Sequence, residues 1–264
     1  MQHASYEQIA FETSDDHVAT ITIDRPDRMN TFTDRMCDEF ADAWRRVRED
    51  DAIHAVVLRA NRASRAFSTG VDVGESLTVL NHTNVWRQGD PMETLCPKQQ
   101  GVWKPVVCAV HGLAAAGAFY WINEADVVIC SSDAQFFDPH VTFGMVAAAE
   151  PIGLSRRVLL GDVLRIALLG NDERVSADTA LRMGIVSEIT APDDLHGRAH
   201  DIAATIAAKP TAATQGTVRA IWESLDVGRT TALRHSTRYW QVGNPMGEAQ
   251  IDRASMTKPK WTLR

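Results

Sequence analysis

Short apolar runs recur along the first 190 residues and predict buried strands. Residues 9–11 and 18–23 form the first two runs, and in the second isoleucine and alanine alternate with threonine. Three further runs, at 55–58, 106–110 and 127–130, are wholly apolar. Runs of this kind are typical of strands that are covered on both faces.

Helical spacing of apolar residues separates these strands. Between residues 33 and 50 the apolar positions recur every three or four residues, and Thr33 is a suitable N-cap. Beyond about residue 190 the strand patterns end, and periodicity predicts helices at about 192–208, 211–225 and 229–240. The order indicates an α/β core over residues 1–195 and a helical region over 196–264.

Composition and charge exclude several classes of protein. The 264-residue chain has 45% hydrophobic and 23% charged residues, as expected for a globular protein, and its net charge of −7 argues against nucleic-acid binding. The N-terminus has no secretion signal, and no apolar stretch of about 18 residues exists to span a membrane. We therefore expect a cytoplasmic protein whose four cysteines are reduced and mostly buried.

Two segments contain more small residues than strand packing alone requires. FSTGVD, at 67–72, and HGLAAAGA, at 111–118, each follow a buried strand. Small residues at such a turn leave backbone N–H groups accessible, as an oxyanion hole requires. Close packing between helix and strand would also explain either segment taken alone.

Five segments in register resemble the enoyl-CoA hydratase/isomerase, or crotonase, superfamily. They are ITIDRPDRMNTF at 21–32, FSTGVD at 67–72, VHGLAAAG at 110–117, DAQFFDPHVTFGMV at 133–146 and VSADTALRMGIVSEI at 175–189. The resemblance covers about residues 7–225. It implies a spiral of repeated ββα units with a C-terminal helical trimerisation region, a homotrimer or a dimer of trimers, and an acyl-CoA thioester as substrate.

The resemblance also implies which residues bind the thioester. Family members hold its oxygen with two backbone N–H groups, which fall here at Val71 and Gly117. Fixed donors of this kind stabilise the negative charge that develops on the oxygen of an enolate. No cofactor is implied beyond the coenzyme A of the substrate.

Positions expected to contact coenzyme A lie on the first loop, within the FSTGVD segment and near the C-terminus. They are Arg25, Arg28, Met29, Ser68, Lys258 and Lys260. A guanidinium suits phosphate well, although an exposed loop cation is an equally good reading of Arg28. The two lysines can equally be a solvated basic tail.

The catalytic positions depart from the family pattern. Hydratases of this family use two glutamates around one water, but the corresponding positions here hold Tyr120 and His140. Imidazole titrates near neutral pH and can act as an acid or a base, whereas the high pKa of tyrosine favours a hydrogen-bonding or space-filling role. Glu150 follows ten residues after His140, where it can orient that imidazole or cap the next helix.

The sequence therefore predicts an acyl-CoA enzyme of this family with altered proton-transfer groups. Two alternatives remain open: a thioester or C–C bond hydrolase that uses His140, and a non-catalytic acyl-CoA-binding paralogue. The variable segment 77–100 is expected to shape the acyl pocket, with Trp86 as one candidate lining residue.

Overall fold

The computed structural model describes residues 6–74, 77–78, 83–254, 256, 261 and 263. The chain divides into two compact units, Met1–Ala208 and Lys209–Arg264. The predicted α/β class and crotonase-like spiral are confirmed by the first unit, in which the third to the eighth strands alternate between two sheets.

The larger sheet has six strands in the order β1-β2-β3-β5-β7-β10. Its first pair, β1 and β2, is antiparallel, and the following strands are parallel to their neighbours. The strands are β1 Ile9–Thr13, β2 Val18–Ile23, β3 Ala55–Ala60, β5 Val106–Val110, β7 Val127–Ser131 and β10 Glu188–Thr190. All five strand-like runs found in the sequence lie in this sheet.

The smaller sheet has the order β4-β6-β8-β9. Its strands are β4 Ala66–Ser68, β6 Leu113–Ala115, β8 Gln135–Phe137 and β9 Val175–Ser176. The first three are parallel, so their carboxyl ends meet at one edge. The loops after β4, β6 and β8 carry Val71, Gly117 and His140, and the spiral thereby brings these three distant positions together.

Helices connect and cover the sheets. They are α1 Asp34–Glu49, α2 Met92–Leu95, α3 Ala118–Glu124, α4 Ala149–Leu154, α5 Leu160–Leu169, α6 Ala177–Met183, α7 Leu195–Ala207, α8 Thr211–Ser224 and α9 Arg229–Ala249. Thr33 caps α1 as predicted, because its side chain accepts a hydrogen bond from the Met36 N–H. No helix in the described part of the chain has the length and apolar character needed to cross a membrane.

Both faces of the larger sheet are buried, as its wholly apolar strands predict. Along β3, Val56 and Leu58 belong to one apolar cluster, whereas Ala55 and Val57 belong to another. The second cluster includes α7, which the sequence-based division at 195/196 places in the C-terminal region. That division stays a prediction, although α7 lies within the first unit. The four cysteines are buried free thiols, in agreement with the sequence analysis.

The second unit consists of α8 and α9 packed against each other. A Cβ on Gly247 of α9 would lie 3.3 Å from the Cβ of Ala213 near the start of α8, so the two helices approach closely and run in opposite directions. The sequence predicts an end near residue 240, but α9 continues through Pro245 to Ala249. The close contact between the helices holds these last turns in place. Their role in trimerisation stays a prediction.

Candidate active site

The loops after β4 and β6 lie side by side. A Cβ on Gly70 would lie 3.1 Å from the Gly117 nitrogen and 2.8 Å from the Ala116 Cβ. Gly70 has a φ of +88°, which side-chain-bearing residues resist. Only glycine therefore permits both the turn at Gly70 and the close approach of the two loops.

The Val71 and Gly117 N–H groups remain available in this arrangement. The Phe32 N–H donates to the Gly70 carbonyl and the Asp72 N–H donates to the Phe32 carbonyl, each at 2.9 Å, so the pairing skips the Val71 N–H. Gly117 is the N-cap of α3, where a backbone N–H has no acceptor within the helix. Within the described ranges, neither N–H donates a backbone hydrogen bond outside the helices and strands.

Phe32 supports both sides of this pair of loops. Its backbone bridges to Val71, and its ring carbons would lie 2.6 and 2.7 Å from a Cβ on Gly117. The same Cβ would lie 3.2 Å from the Tyr120 ring. Ala116, between the strand and Gly117, has a φ of +50°, a left-handed conformation that is strained for alanine. Sequence reasoning did not single out Phe32, although it ends the quoted first-loop segment.

The Ser68 hydroxyl holds the first loop in place. It donates to the Asn30 carbonyl at 2.8 Å and accepts from the Gly70 N–H at 3.2 Å. Ser68 is fully buried. The structure therefore places this sequence-based candidate for coenzyme A binding inside the protein, where its hydroxyl stabilises the turn.

The other candidate coenzyme A contacts lie in different environments. Arg25 forms an ion pair with Asp72 at 3.1 Å, and both side chains are 13% exposed. Arg28 is exposed at the end of a short 3₁₀ helix, Pro26–Arg28, and Met29 follows it in a left-handed conformation. The Arg25 guanidinium therefore pairs with Asp72 and stabilises the FSTGVD loop, whereas Arg28 is accessible to a ligand. Lys258 and Lys260 lie outside the described residues.

His140 lies between two carboxylates. The Asp138 Oδ1 is 2.5 Å from the His140 Nδ1 and also accepts the His140 N–H at 3.1 Å. On the other side of the ring, the Glu150 Oε1 is 3.8 Å from Nε2. The Asp138 and Glu150 side chains are 2% and 6% exposed, and that of His140 is 19% exposed. Asp138 thus fixes the ring, and Nε2 faces the site.

Burial and neighbouring charges shift the proton affinities of these groups. The hydrogen bond that the Asp138 carboxylate accepts, together with the nearby negative charges, raises the pKa of His140, although burial opposes this shift. Burial raises the pKa of Glu150. Since a raised pKa lets Glu150 retain a proton closer to neutral pH, the pair has the character of an acid and a base.

Glu150 enters the site from the first turn of α4. Its Oε1 lies 3.8 Å from the His140 Nε2, and its own backbone N–H acts on the carboxylate as a hydrogen-bond donor. Both readings that the sequence left open, an imidazole partner and a cap of the helix, are compatible with this placement. The tighter partner, however, is Asp138, whose Oδ1 lies 2.5 Å from the imidazole Nδ1.

Tyr120 closes the far wall of the site. It is 8% exposed, and burial together with the Glu150 and Asp90 carboxylates raises the pKa of its hydroxyl. A hydroxyl with a raised pKa keeps its proton and acts as a hydrogen-bond donor. Asp90 comes from the segment before α2, and no motif in the sequence pointed to it. Trp86, a sequence-based candidate for lining the acyl pocket, is 91% exposed.

Asp138, His140 and Glu150 are also close enough to share a metal ion, since one ligand atom from each lies within 4.8 Å of the others. His140 Nδ1 is already paired with Asp138, which leaves Nε2 and Glu150 as the two facing ligands. Catalytic zinc sites typically have three protein ligands. The arrangement therefore suits proton transfer better than metal binding.

Comparison with known proteins agrees with this fold. The family model "Enoyl-CoA hydratase/isomerase" matches residues 13–242, so the chain belongs to that family of acyl-CoA enzymes. It is 29% identical to the (E)-benzylidenesuccinyl-CoA hydratase of Thauera aromatica over 84% of each chain. It is 30% identical to a (7aS)-7a-methyl-1,5-dioxo-2,3,5,6,7,7a-hexahydro-1H-indene-carboxyl-CoA hydrolase of Rhodococcus jostii over 77% of this chain and 76% of that protein.

Solved structures show the same relationship. A crystal structure of an enoyl-CoA hydratase/isomerase from Mycobacterium paratuberculosis superposes with a TM-score of 0.83 at 33% identity, covering 90% of each chain. The resemblance found in the sequence is thereby confirmed at the level of family and fold.

We expect Asp138→Asn to move the acidic limb of the kcat/KM profile to lower pH. His140 must be neutral to act as a base, and the hydrogen bond and charge of Asp138 raise its pKa. Glu150 and Asp90 act in the same direction and remain in the variant. The plateau should also fall by about 10- to 10³-fold because an amide no longer enforces the productive tautomer. An unshifted limb would contradict the role of Asp138.

Proposed function

We propose that this protein adds water to the conjugated double bond of an enoyl-CoA, with His140 and Glu150 in place of the usual pair of glutamates. The observation that carries the proposal is the fixed imidazole: Asp138 anchors Nδ1, and Nε2 faces Glu150 at 3.8 Å. The mechanism requires no cofactor beyond the coenzyme A of the substrate.

The reaction begins with the thioester oxygen accepting hydrogen bonds from the Val71 and Gly117 N–H groups. Neutral His140 removes a proton from water at Nε2, and the resulting hydroxide adds to the β-carbon. The electron pair of the double bond moves onto the thioester, and the two N–H groups stabilise the enolate. Tyr120 donates a hydrogen bond within the site.

Glu150 completes the addition. Burial raises the pKa of its carboxyl group, so it can hold the proton that the α-carbon of the enolate accepts. Glu150 is then a carboxylate and His140 an imidazolium, and transfer of one proton between them restores the starting state. Their separation of 3.8 Å lets one small movement or a bridging water make this transfer.

A hydrolase is the second candidate, and the paired Asp138 and His140 favour it. A carboxylate that fixes an imidazole is the arrangement by which hydrolases activate water or a hydroxyl group. In that reaction, water would attack the thioester carbonyl, and Val71 and Gly117 would stabilise the tetrahedral oxyanion. The name of the Rhodococcus relative, a hydrolase, lends support to this alternative.

Two simultaneous assays distinguish these reactions. Short, long, aromatic and cyclic enoyl-CoA esters are supplied to the purified protein, and loss of conjugation and release of free thiol are followed together. We expect loss of conjugation without thiol release. Thiol release would establish the hydrolase instead. If neither loss of conjugation nor thiol release is observed, and calorimetry shows acyl-CoA binding, the protein is a non-catalytic binding protein.

A further inference from the structure

Asn123 joins α3 to the first turn of α4. Its side-chain Nδ2 donates to the Glu150 carbonyl at 2.8 Å, and the residue is only 7% exposed. Because a carbonyl oxygen can only accept a hydrogen bond, the amide atom that faces it must be the nitrogen. The amide is therefore fixed in one orientation, and it connects the Glu150 backbone to the helix that carries Tyr120.

Gly153 of α4 packs directly against the Asn123 side chain. A Cβ on Gly153 would lie 2.5 Å from the Nδ2, 2.9 Å from the Cγ and 3.0 Å from the Cβ of Asn123. These distances are shorter than van der Waals contact, so a side chain at this position would have to displace the amide or the helix. The glycine therefore lets α4 come close enough to α3 for the hydrogen bond to Glu150 to form.

Arg157 makes a second connection between the same two segments. Its Nε and Nη2 donate to the Asn123 carbonyl at 3.2 and 3.1 Å, and Nη2 also donates to the Ala125 carbonyl. Both carbonyls lie at the C-terminal end of α3, where backbone acceptors have no partner within the helix. Asn123 is thus bound through its side chain at the start of α4 and through its carbonyl just beyond the end of α4.

Stability alone does not account for an asparagine at position 123. Its Oδ1 is buried and has no hydrogen-bond partner among the described residues. A buried acceptor without a partner lowers stability, whereas an apolar side chain of similar size carries no such cost. What the amide supplies is one directed hydrogen bond to the backbone of Glu150.

We infer that Asn123 is a positioning residue, which holds the Glu150 backbone so that its carboxylate stays 3.8 Å from the His140 Nε2. The inference rests on the proposed function for the role of Glu150 as the proton donor. Asn123 lies one turn beyond Tyr120 on α3 and acts on the reaction only through Glu150.

Two variants break this connection from opposite sides. Asn123→Leu keeps a side chain of similar size and removes the donor. Gly153→Ala keeps the donor and forces the amide or α4 to move, although alanine is the better helix former. Gly161→Ala, in the first turn of α5, is the matched control for the glycine variant because its methyl group would have no atom within 4 Å. Lys104→Met is the control for Asn123→Leu, since it removes a buried donor to two backbone carbonyls at the end of α1, each at 2.7 Å.

NMR titration of the His140 imidazole reports the position of the Glu150 carboxylate whether or not the protein turns over a substrate. The His140 signal is the one that disappears in His140→Ala. The hydrogen bond to Asp138 raises the pKa of His140 most strongly, burial lowers it, and the charges of Asp138, Glu150 and Asp90 raise it further. Glu150→Gln should therefore lower the pKa of His140.

Asn123→Leu and Gly153→Ala should also lower the pKa of His140, because a buried carboxylate that is released from its backbone anchor moves toward water. Neither should lower it further in the Glu150→Gln background, since both act through that carboxylate. The two control variants should leave it unchanged. An unchanged or higher pKa of His140 in both site variants, with each folded by circular dichroism, would overturn the inference. So would an equal decrease in the Glu150→Gln background.

The same variants should lower kcat by about 10- to 10²-fold, as a small misplacement of a reacting group does. The Kd for butanoyl-CoA should stay near the wild-type value. The loss of kcat should disappear in the Glu150→Gln background because the group that is misplaced is already absent. An equal loss in both backgrounds, or a similar loss in Lys104→Met, would show that Asn123 only stabilises the fold.

Failure of the proposed function gives a different result. A lowered pKa of His140 in both site variants, in a protein that shows neither loss of conjugation nor thiol release, would support the role of Asn123 and reject the reaction. Hydration that Asn123→Leu and Gly153→Ala leave unchanged, together with an unchanged pKa of His140, would support the reaction and reject the role of Asn123.

Discussion

His140→Ala should lower kcat by about 10²- to 10⁴-fold, the usual contribution of a positioned general acid or base. The variant loses the Nε2 that faces Glu150 and leaves the Asp138 carboxylate without its imidazole partner. The Val71 and Gly117 N–H groups are unaffected. The Kd for a saturated acyl-CoA should therefore remain near the wild-type value, which calorimetry can measure.

His200→Ala is the matched control for this experiment. The His200 side chain is 40% exposed, its Nε2 lies 2.9 Å from an Asp16 carboxylate oxygen, and it lies outside the candidate site. Its replacement should leave kcat unchanged because His200 contacts none of the candidate catalytic groups, and a surface contact of this kind contributes little to stability. Wild-type turnover by His140→Ala, with both variants folded by circular dichroism, would exclude His140 as the base.

The second large effect is expected for Gly117→Ala. The added methyl group would lie 2.6 and 2.7 Å from two carbons of the Phe32 ring, well inside van der Waals contact. Either the ring or the loop must move, and Phe32 also bridges to Val71, so both oxyanion donors are disturbed. We expect kcat to fall by about 10²- to 10³-fold, as for loss of one oxyanion-hole donor.

Two further variants test whether the contact with Phe32 causes the loss of activity in Gly117→Ala. Gly197→Ala, within α7, places its methyl group where no atom lies within 4 Å, and it should preserve turnover and stability. Adding Phe32→Leu to Gly117→Ala removes the aromatic ring edge and should recover part of the lost activity. Full activity of the Gly117→Ala single variant would show that the thioester oxygen is not held at this loop. No recovery in the double variant would place the damage elsewhere.

Most elements of the fold could be predicted from the sequence because local patterns determine them. The apolar runs at 18–23 and 106–110 are β2 and β5, and Thr33 caps α1. The packing of α7 could not be predicted from the sequence. Its periodicity gives a helix but cannot say whether that helix packs on the sheet or on the other helices.

The candidate site, like the fold, could be predicted only in part. Short motifs with glycine at defined positions located the two loops of the proposed oxyanion hole, because a left-handed turn at Gly70 and a close approach at Gly117 leave a sequence signature. Ser68 and Arg25 lie in or near those motifs, yet their side chains are used to hold the loops. A motif specifies the backbone path but not which side chains remain available for a ligand.

The sequence by itself determined the order of strands and helices, the two glycine-containing loops and the absence of glutamate at positions 120 and 140, and its resemblance to the family implied the ββα spiral. Only the tertiary structure decided which side chains surround those two positions. Asp138 lies two residues before His140 in a tight local turn, whereas Glu150 approaches from α4, which follows the 3₁₀ helix His140–Phe143. Asp90 comes from a segment with no recognisable pattern. Such contacts depend on side-chain directions and on long-range packing, and neither has a periodic signal in the chain.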